Sequence, residues 1–285
     1  MKPIHEQTLI ICGIVRDAEK GLRRNIPVIN AICRQLKDFR IIIYENDSRD
    51  QTKDLLRAWH QQDEQRIHVS LNNTDPTRTI PKAATVGCNP FFSKKRIEKM
   101  ASLRNHYMEY IDSRQWTADY LMVVDMDVAQ LRLNGILNTL QAPFEWDAVA
   151  ANGYSTSPSL RRRYHDTYAL TLYGDNSPQT EKKIKSHAAR LGKLKPGDAW
   201  MRVDSAFGGL ALYNFQAVKG LRYTALPNND PRVEVKCEHV SIYTQMRQRG
   251  CTHFYINPAM ELKYQALSFK IIWGSAKRML PLRGK

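Results

Sequence analysis

The sequence predicts an α/β fold, a mostly parallel sheet flanked by helices. Short apolar runs alternate with longer stretches of helical period from Leu9 to Leu71, the βαβαβ pattern of a parallel sheet. The alternation resumes after Ser93 and continues to Ala151. A hydrophobic fraction of 42% with 9% aromatics supplies a packed core and excludes a disordered or low-complexity chain.

In order, the pattern predicts a strand at Leu9–Val15, a helix at Leu22–Leu36 and a strand at Phe39–Tyr44. A helix at Thr52–His60, capped by Asp50 or Thr52, buries Leu55, Leu56 and Trp59, and a strand follows at Ile67–Leu71. Next come a helix from Ser93 to Asp112, a strand at Asp119–Val124, a helix near Leu131–Leu140 and a strand at Ala148–Ala151. From 157 to 200 the pattern loosens, with Pro158, Gly174, Pro178, Gly192 and Pro196 as punctuation, and a mobile basic insertion is expected. Order returns at Arg202–Tyr213 and in a helix at Glu238–Arg249. The expected organisation is one catalytic domain, 1–264, with a basic amphipathic tail at 265–285.

The 285 residues carry a formal charge of +15, which suits an anionic partner. No apolar run approaches the ~18 residues of a membrane helix. Leu9–Val15 follows His5-Glu6-Gln7-Thr8 and runs into Arg16-Asp17, unlike a signal peptide, so a cytoplasmic protein is expected. Cys12, Cys33, Cys88, Cys237 and Cys251 are odd in number and lack CxxC spacing, which predicts free thiols.

Parallel sheets place their chemistry at the carboxyl ends of the strands. The sharpest signal there is Asp119-Tyr120-Leu121-Met122-Val123-Val124-Asp125-Met126-Asp127, an apolar strand delivering two carboxylates one residue apart. Such a pair repels itself unless a cation joins it, and all-oxygen ligation selects Mg²⁺ or Mn²⁺. An ordinary acidic turn is the other reading. Arg16 and Asp17, and Glu45, Asn46 and Asp47, leave two further strands at the same edge, where they could bond a ribose or base or simply make turns.

Ile97, Ala101, Arg104, Met108 and Ile111 form one helical stripe, so Arg104 sits in an apolar face. Its guanidinium either meets an anion, such as a phosphate or the Asp125/Asp127 pair, or snorkels to water. At Cys237-Glu238-His239 a carboxylate and an imidazole open a helix. They suit a catalytic base and a metal ligand, or, for Glu238, a first-turn acid stabilised by the helix dipole.

Together these segments resemble a nucleotide-sugar glycosyltransferase of the GT-A fold, and within that class the sequence is similar to the fungal capsule-associated α-mannosyltransferase family. The matching segments are Tyr44–Thr52, Arg104-Asn105, Tyr164–Tyr168, Phe207-Gly208-Gly209, Glu238-His239, and Tyr255–Pro258 with Tyr264. The resemblance implies that Arg16, Glu45 and Asp47 face the nucleotide, Arg104 the diphosphate, and Asp125 and Asp127 the metal and sugar nucleotide. It implies that Gly208, Gly209 and Glu238 line the acceptor side, and Asp166 lies in a matching segment as a substrate contact. The sequence departs from the family in its full Asp-Met-Asp, where fungal relatives often show Asn-Asp, and in His165.

The expected chemistry is transfer of mannose or another hexose from a GDP- or UDP-linked donor to a hydroxyl of a glycan or lipid-linked acceptor. With inversion, Glu238 is the first candidate base and Asp204 the second; with retention, toward which the resemblance leans, the leaving phosphate takes the proton. Two rivals rank lower. A haloacid-dehalogenase-type phosphatase also uses a DxD after a strand, but its motif opens the chain and wants Thr or Val where Ala129 stands. A nucleic-acid-binding module would explain the charge, but no such motif occurs. Within Gln265–Leu280, Leu267, Phe269, Ile271, Ile272 and Trp273 lie among cations and suit either an anionic membrane surface or a helix packed on the sheet.

Overall fold

The computed structural model describes residues 2–73, 80–157 and 161–265. The first five elements are β1 (Thr8–Val15), α1 (Glu19–Cys33), β2 (Asp38–Asn46), α2 (Thr52–His60) and β3 (Ile67–Asn72), the predicted alternation. Then come α3 (Lys94–Ser113), β4 (Tyr120–Val124), β5 (Gln130–Leu131), α4 (Leu133–Leu140) and β6 (Ala148–Thr156). The second half holds β7 (Arg162–Tyr164), β8 (Thr171–Leu172), α5 (Glu181–Leu191), β9 (Met201–Ser205), β10 (Leu210–Asn214) and α6 (Phe215–Val218). It closes with β11 (Pro227–Asp230), β12 (Val233–Val235), α7 (Glu238–Gln248) and β13 (Phe254–Lys263).

The main sheet runs β3-β2-β1-β4-β10-β6-β13-β9-β8. Strands β3, β2, β1 and β4 are mutually parallel, as are β6 and β13, while β10 runs antiparallel between β4 and β6. The expected mostly parallel sheet is therefore present, with β10 reversed inside it and β9 antiparallel to both β13 and β8 toward one edge. Successive β1 side chains point to opposite faces. Leu9 and Ile11 pack with Leu22, Ile29, Leu56, Trp59 and Ile136 under α1, α2 and α4. Ile10 and Cys12 pack with Tyr107, Met108, Val240 and Tyr243 under α3 and α7.

The segment expected to be a mobile insertion contains β7, β8 and α5 among its described residues. Thr180 caps α5 by accepting from the Lys183 N–H at 3.1 Å, and Ile184, His187 and Leu191 are buried. Prolines and glycines mark the turns between these short elements rather than an absence of structure. β13 (Phe254–Lys263) is a further element that periodicity missed. It passes straight through Pro258, tolerated because the register shifts between Asn257 and Glu261. The C-terminal tail expectation falls beyond residue 265, outside the described residues. Among the described residues all five cysteines are free thiols, and no helix is long and apolar enough to cross a membrane.

Candidate active site

Parallel registers bring three strand ends to one edge: Cys12 lies opposite Val123, and Val15 opposite Glu45. Arg16, Asn46 and Asp125 therefore leave the sheet side by side, and α3 crosses above them. Together with Asp127, these residues line a cavity of about 280 Å³, roofed by Arg96, Lys99 and Arg104 of α3 and closed by Ile80, Pro81 and Tyr264. A second cavity of about 190 Å³ shares Arg96, Met100, Arg104, Asp125 and Tyr264 with the first. Its own walls are His165, Asp166, Tyr168, Phe207, Cys237, Glu238 and His239. The two form one trench, cationic at one end and acidic and aromatic at the other.

The Asp125–Asp127 turn is held from several sides. The Asp125 N–H donates to the Gly209 carbonyl (2.9 Å), and the Ala129 N–H to the Tyr264 carbonyl (3.1 Å). Asn25, fully buried in α1, donates to the carbonyls of Met126 (3.1 Å) and Val128 (2.8 Å) and accepts from the Leu131 N–H (3.2 Å). Asp125 is pushed above the ordinary carboxylate range by burial, opposed by Arg104 and reinforced by Asp127. Asp127, at the rim, is raised as well by desolvation. Two acids side by side with raised pKa values hold excess negative potential at this spot.

Arg104 is 3% exposed, as its place in an apolar stripe implied, and it has anionic partners rather than a path to water. Its Nε donates to Glu238 (3.1 Å) and its Nη2 to Asp125 (3.5 Å), while Phe207 and Tyr223 lie under the guanidinium at 5.0 and 5.9 Å. Its Nη1 is buried without a hydrogen-bond partner.

In the second cavity, burial and the Glu238 charge push Asp166 up to about 6. His165 stacks on Tyr264, ring centroids 3.3 Å apart, and burial lowers it to about 4. His239 stacks on Phe207 at 3.7 Å, 1% exposed, and burial, then Arg104, hold its pKa far below normal.

Arg16, Asn46, Arg104, Asp125, Asp127, Asp166, Glu238 and His239 are thus assembled in one trench, and several other predicted residues do different work. Glu45 is fully buried, accepts from the N–H groups of Ser48 and Asn72 and pairs with Lys53 at 3.7 Å; it builds the β2 turn. Asp17 accepts from the Arg49 N–H (2.9 Å) with its own N–H on Ser48, joining the β1 and β2 loops. Asp47 lines neither cavity; at φ 57° it turns the chain, its N–H on the Asn72 carbonyl at 3.3 Å. Gly208 and Gly209 line neither cavity; their φ of 65° and 90° let the chain pass against Ala151 and present the carbonyl that holds Asp125. Asp204 lies outside both cavities, accepting from the Gly174 N–H (2.9 Å) with Arg247 at 3.7 Å. Among the described residues no three His, Cys, Asp or Glu side chains come together as a metal site, so the expected triad of Asp125, Asp127 and His239 reduces to two carboxylates.

Arg96 and Lys99 escaped the sequence analysis, and Tyr264 entered it only within a matching segment. Arg96 and Arg104 recur at i and i+8 along α3, a spacing that would have pointed to Arg96.

No curated protein matches the sequence. Among solved structures, the mannosyltransferase PcManGT from Pyrobaculum calidifontis, in complex with GDP-Man and Mn²⁺, is similar at 12% identity and TM-score 0.48, covering 97% of this chain and 62% of that one. S. aureus TarS 1-349 in complex with UDP-GlcNAc is similar at 10% identity and TM-score 0.48, covering 92% and 60%. The chain thus spans about three fifths of the length of these two. Mannosyl-3-phosphoglycerate synthase from Rubrobacter xylanophilus is similar at 10% identity and TM-score 0.46, covering 95% and 72%. The family profile described as Cryptococcal mannosyltransferase 1 matches residues 9–244, from the first strand through the helix of Glu238. The chain belongs to that family.

Proposed function

We propose that the protein is a metal-dependent glycosyltransferase that moves mannose or another hexose from a nucleotide diphospho-sugar to a hydroxyl of a glycan or lipid-linked acceptor. The observation that carries this reading is the trench, with its carboxylate pair at the junction of a cationic and an acidic compartment. Arg16, Asn46, Ile80 and Pro81 suit a nucleotide, and Arg96, Lys99 and Arg104 suit its diphosphate. A hexose then enters the smaller cavity, where Asp166, Glu238 and aromatic walls offer hydrogen bonds and ring contact.

Asp125 and Asp127 fit a hard divalent ion: two carboxylate donors, Asp125 only partly offset by Arg104, are the usual protein share of a Mg²⁺ or Mn²⁺ site that diphosphate oxygens complete. Bound there, the ion would supply neutralisation of the departing nucleotide's charge. Arg104 adds fixed positive charge at the same junction and orients Glu238 through its Nε. Glu238 lines the hexose cavity and is the acceptor base if configuration inverts. Asp166 replaces Asp204 as the second candidate, because it shares that cavity and its raised pKa, about 6, keeps it basic enough to take a proton near neutrality.

Calorimetric titration of GDP and UDP with and without Mn²⁺ should show binding that requires the metal and disappears in Asp127→Ala. Hydrolysis of a panel of nucleotide sugars then names the donor. Nucleotide affinity that ignores both Mn²⁺ and Asp127 would refute the reading.

A further inference from the structure

Among the described residues, five large apolar side chains are exposed, and Ile80, Val86 and Phe91 are three of them, all in the loop between β3 and α3. Val86 is 99% exposed. The loop is nonetheless tied down. Ser93 Oγ donates to the Pro81 carbonyl (3.2 Å), and the Asn89 N–H to the Arg232 carbonyl (3.2 Å). The Glu234 carboxylate accepts from both the Thr85 N–H (2.6 Å) and the Lys94 N–H (2.7 Å). That shared acceptor fixes the loop tip, with Val86, beside the first turn of α3.

The first turn of α3 is Lys94-Lys95-Arg96 and contains no acid. Cations at a helix N-terminus work against its dipole, so helix stability does not account for them. Lys82 and Lys95 are exposed, the Lys94 ammonium pairs with Glu98 at 3.7 Å, and Arg96 donates to the Phe91 carbonyl (3.0 Å) with its guanidinium 5.7 Å from the Phe91 ring. The surface is therefore an apolar tip flanked by Lys82, Lys94, Lys95 and Arg96, which outnumber the neighbouring Glu98 and Glu234.

We propose that residues 80–92 and the first turn of α3 dock the protein on an anionic lipid bilayer. Val86 and Phe91 enter the interface, and Lys82, Lys94 and Lys95 meet the headgroups. A fully protruding valine has nothing to bury against on a flat protein surface, but a bilayer accepts it, and nearby lysines add attraction to anionic lipid. Ile80 and Pro81 begin this loop and also line the larger cavity, so the docked face adjoins the mouth of the trench. Phe92 of the same loop packs on Tyr168 of the smaller cavity (4.7 Å), so, resting on the glycosyltransferase reading, the docked face also adjoins the end that would take a lipid-linked acceptor.

The test is sedimentation of the full chain with vesicles of phosphatidylcholine alone and vesicles that also contain phosphatidylglycerol. The wild type is expected to pellet with the anionic vesicles only, and less as salt rises. Val86→Ser with Phe91→Ser, and separately Lys94→Gln with Lys95→Gln, should each weaken binding at least about fivefold. The lysine pair lines neither cavity, so nucleotide binding should persist there and serves as its folding control, whereas Phe91 packs on Arg96, so the apolar pair is controlled by its melting curve; if one pair fails to fold, the other decides. Equal sedimentation with both vesicles, or with neither, overturns the proposal. So does wild-type binding by both pairs, above all if truncation after Tyr264 abolishes it, because the C-terminal segment would then be the anchor. Vesicle binding as described in a protein that binds no nucleotide would leave the docking surface standing and remove the donor reading.

Discussion

Arg104 does with one side chain what no lysine could: its planar fork reaches Glu238 and Asp125 from different nitrogens. Arg104→Lys retains the charge and loses the bridge. The expected result is a fall of about 100-fold in kcat/KM for donor hydrolysis, with most of the loss in kcat, because the missing contacts strengthen as diphosphate charge develops. A loss confined to KM would show that Arg104 only binds. Gly208 has the opposite character, since it touches no ligand but carries the backbone behind Asp125. A Cβ there would lie 2.3 Å from the Ala151 carbonyl oxygen in a chain already at φ 65°. Gly208→Ala should cost about 2–4 kcal/mol, read as a lower midpoint in urea with an unchanged m-value.

At the scale of elements, α1 positions the carboxylate turn through Asn25, whose amide serves three backbone groups at once. Asn25→Ala strands two buried carbonyls and one N–H, so about 3 kcal/mol of stability should go, and Mn²⁺ affinity should fall though no ligand has changed. Unchanged metal affinity in a destabilised variant would assign Asn25 to folding alone. This link was invisible in the sequence: a lone Asn in a helix carries no mark of the loop a hundred residues away that it holds. The strands and helices from β1 to α4 were legible because each has its own periodicity, and Arg104 because a cation in an apolar stripe demands a partner. β13 and α5 were not, since proline and glycine punctuation is local while their order comes from long-range packing. For the same reason Glu45 and Asp125 read alike, as acids at strand ends. Only tertiary neighbours separate them: backbone N–H groups satisfy Glu45 inside its own turn, and Asp125 faces a cavity.

Across the whole molecule, two sets of buried groups pull stability in opposite directions with pH. His165, lowered to about 4, and His239, lowered further, stay neutral in the fold while the unfolded chain takes up protons near pH 6.5. Their stability is complete above that value and is lost as pH falls below it. Asp166, raised to about 6, and Asp125, also raised, behave in reverse: the fold holds protons that the unfolded chain has released above about pH 4, so stability drains away as pH climbs through the folded pKa values. The carboxylates therefore cost most on the alkaline side, and a divalent cation relieves that cost only where they are ionised. Melting followed by fluorescence should show Mn²⁺ raising Tm by several degrees at pH 8 and by much less at pH 5.5, where protons compete for the same oxygens. Asp125→Asn should behave differently in two ways, with a higher Tm than wild type at pH 8 without metal and no response to Mn²⁺ at either pH. A metal shift of equal size at both pH values, or one that survives Asp125→Asn, would place the cation away from this pair.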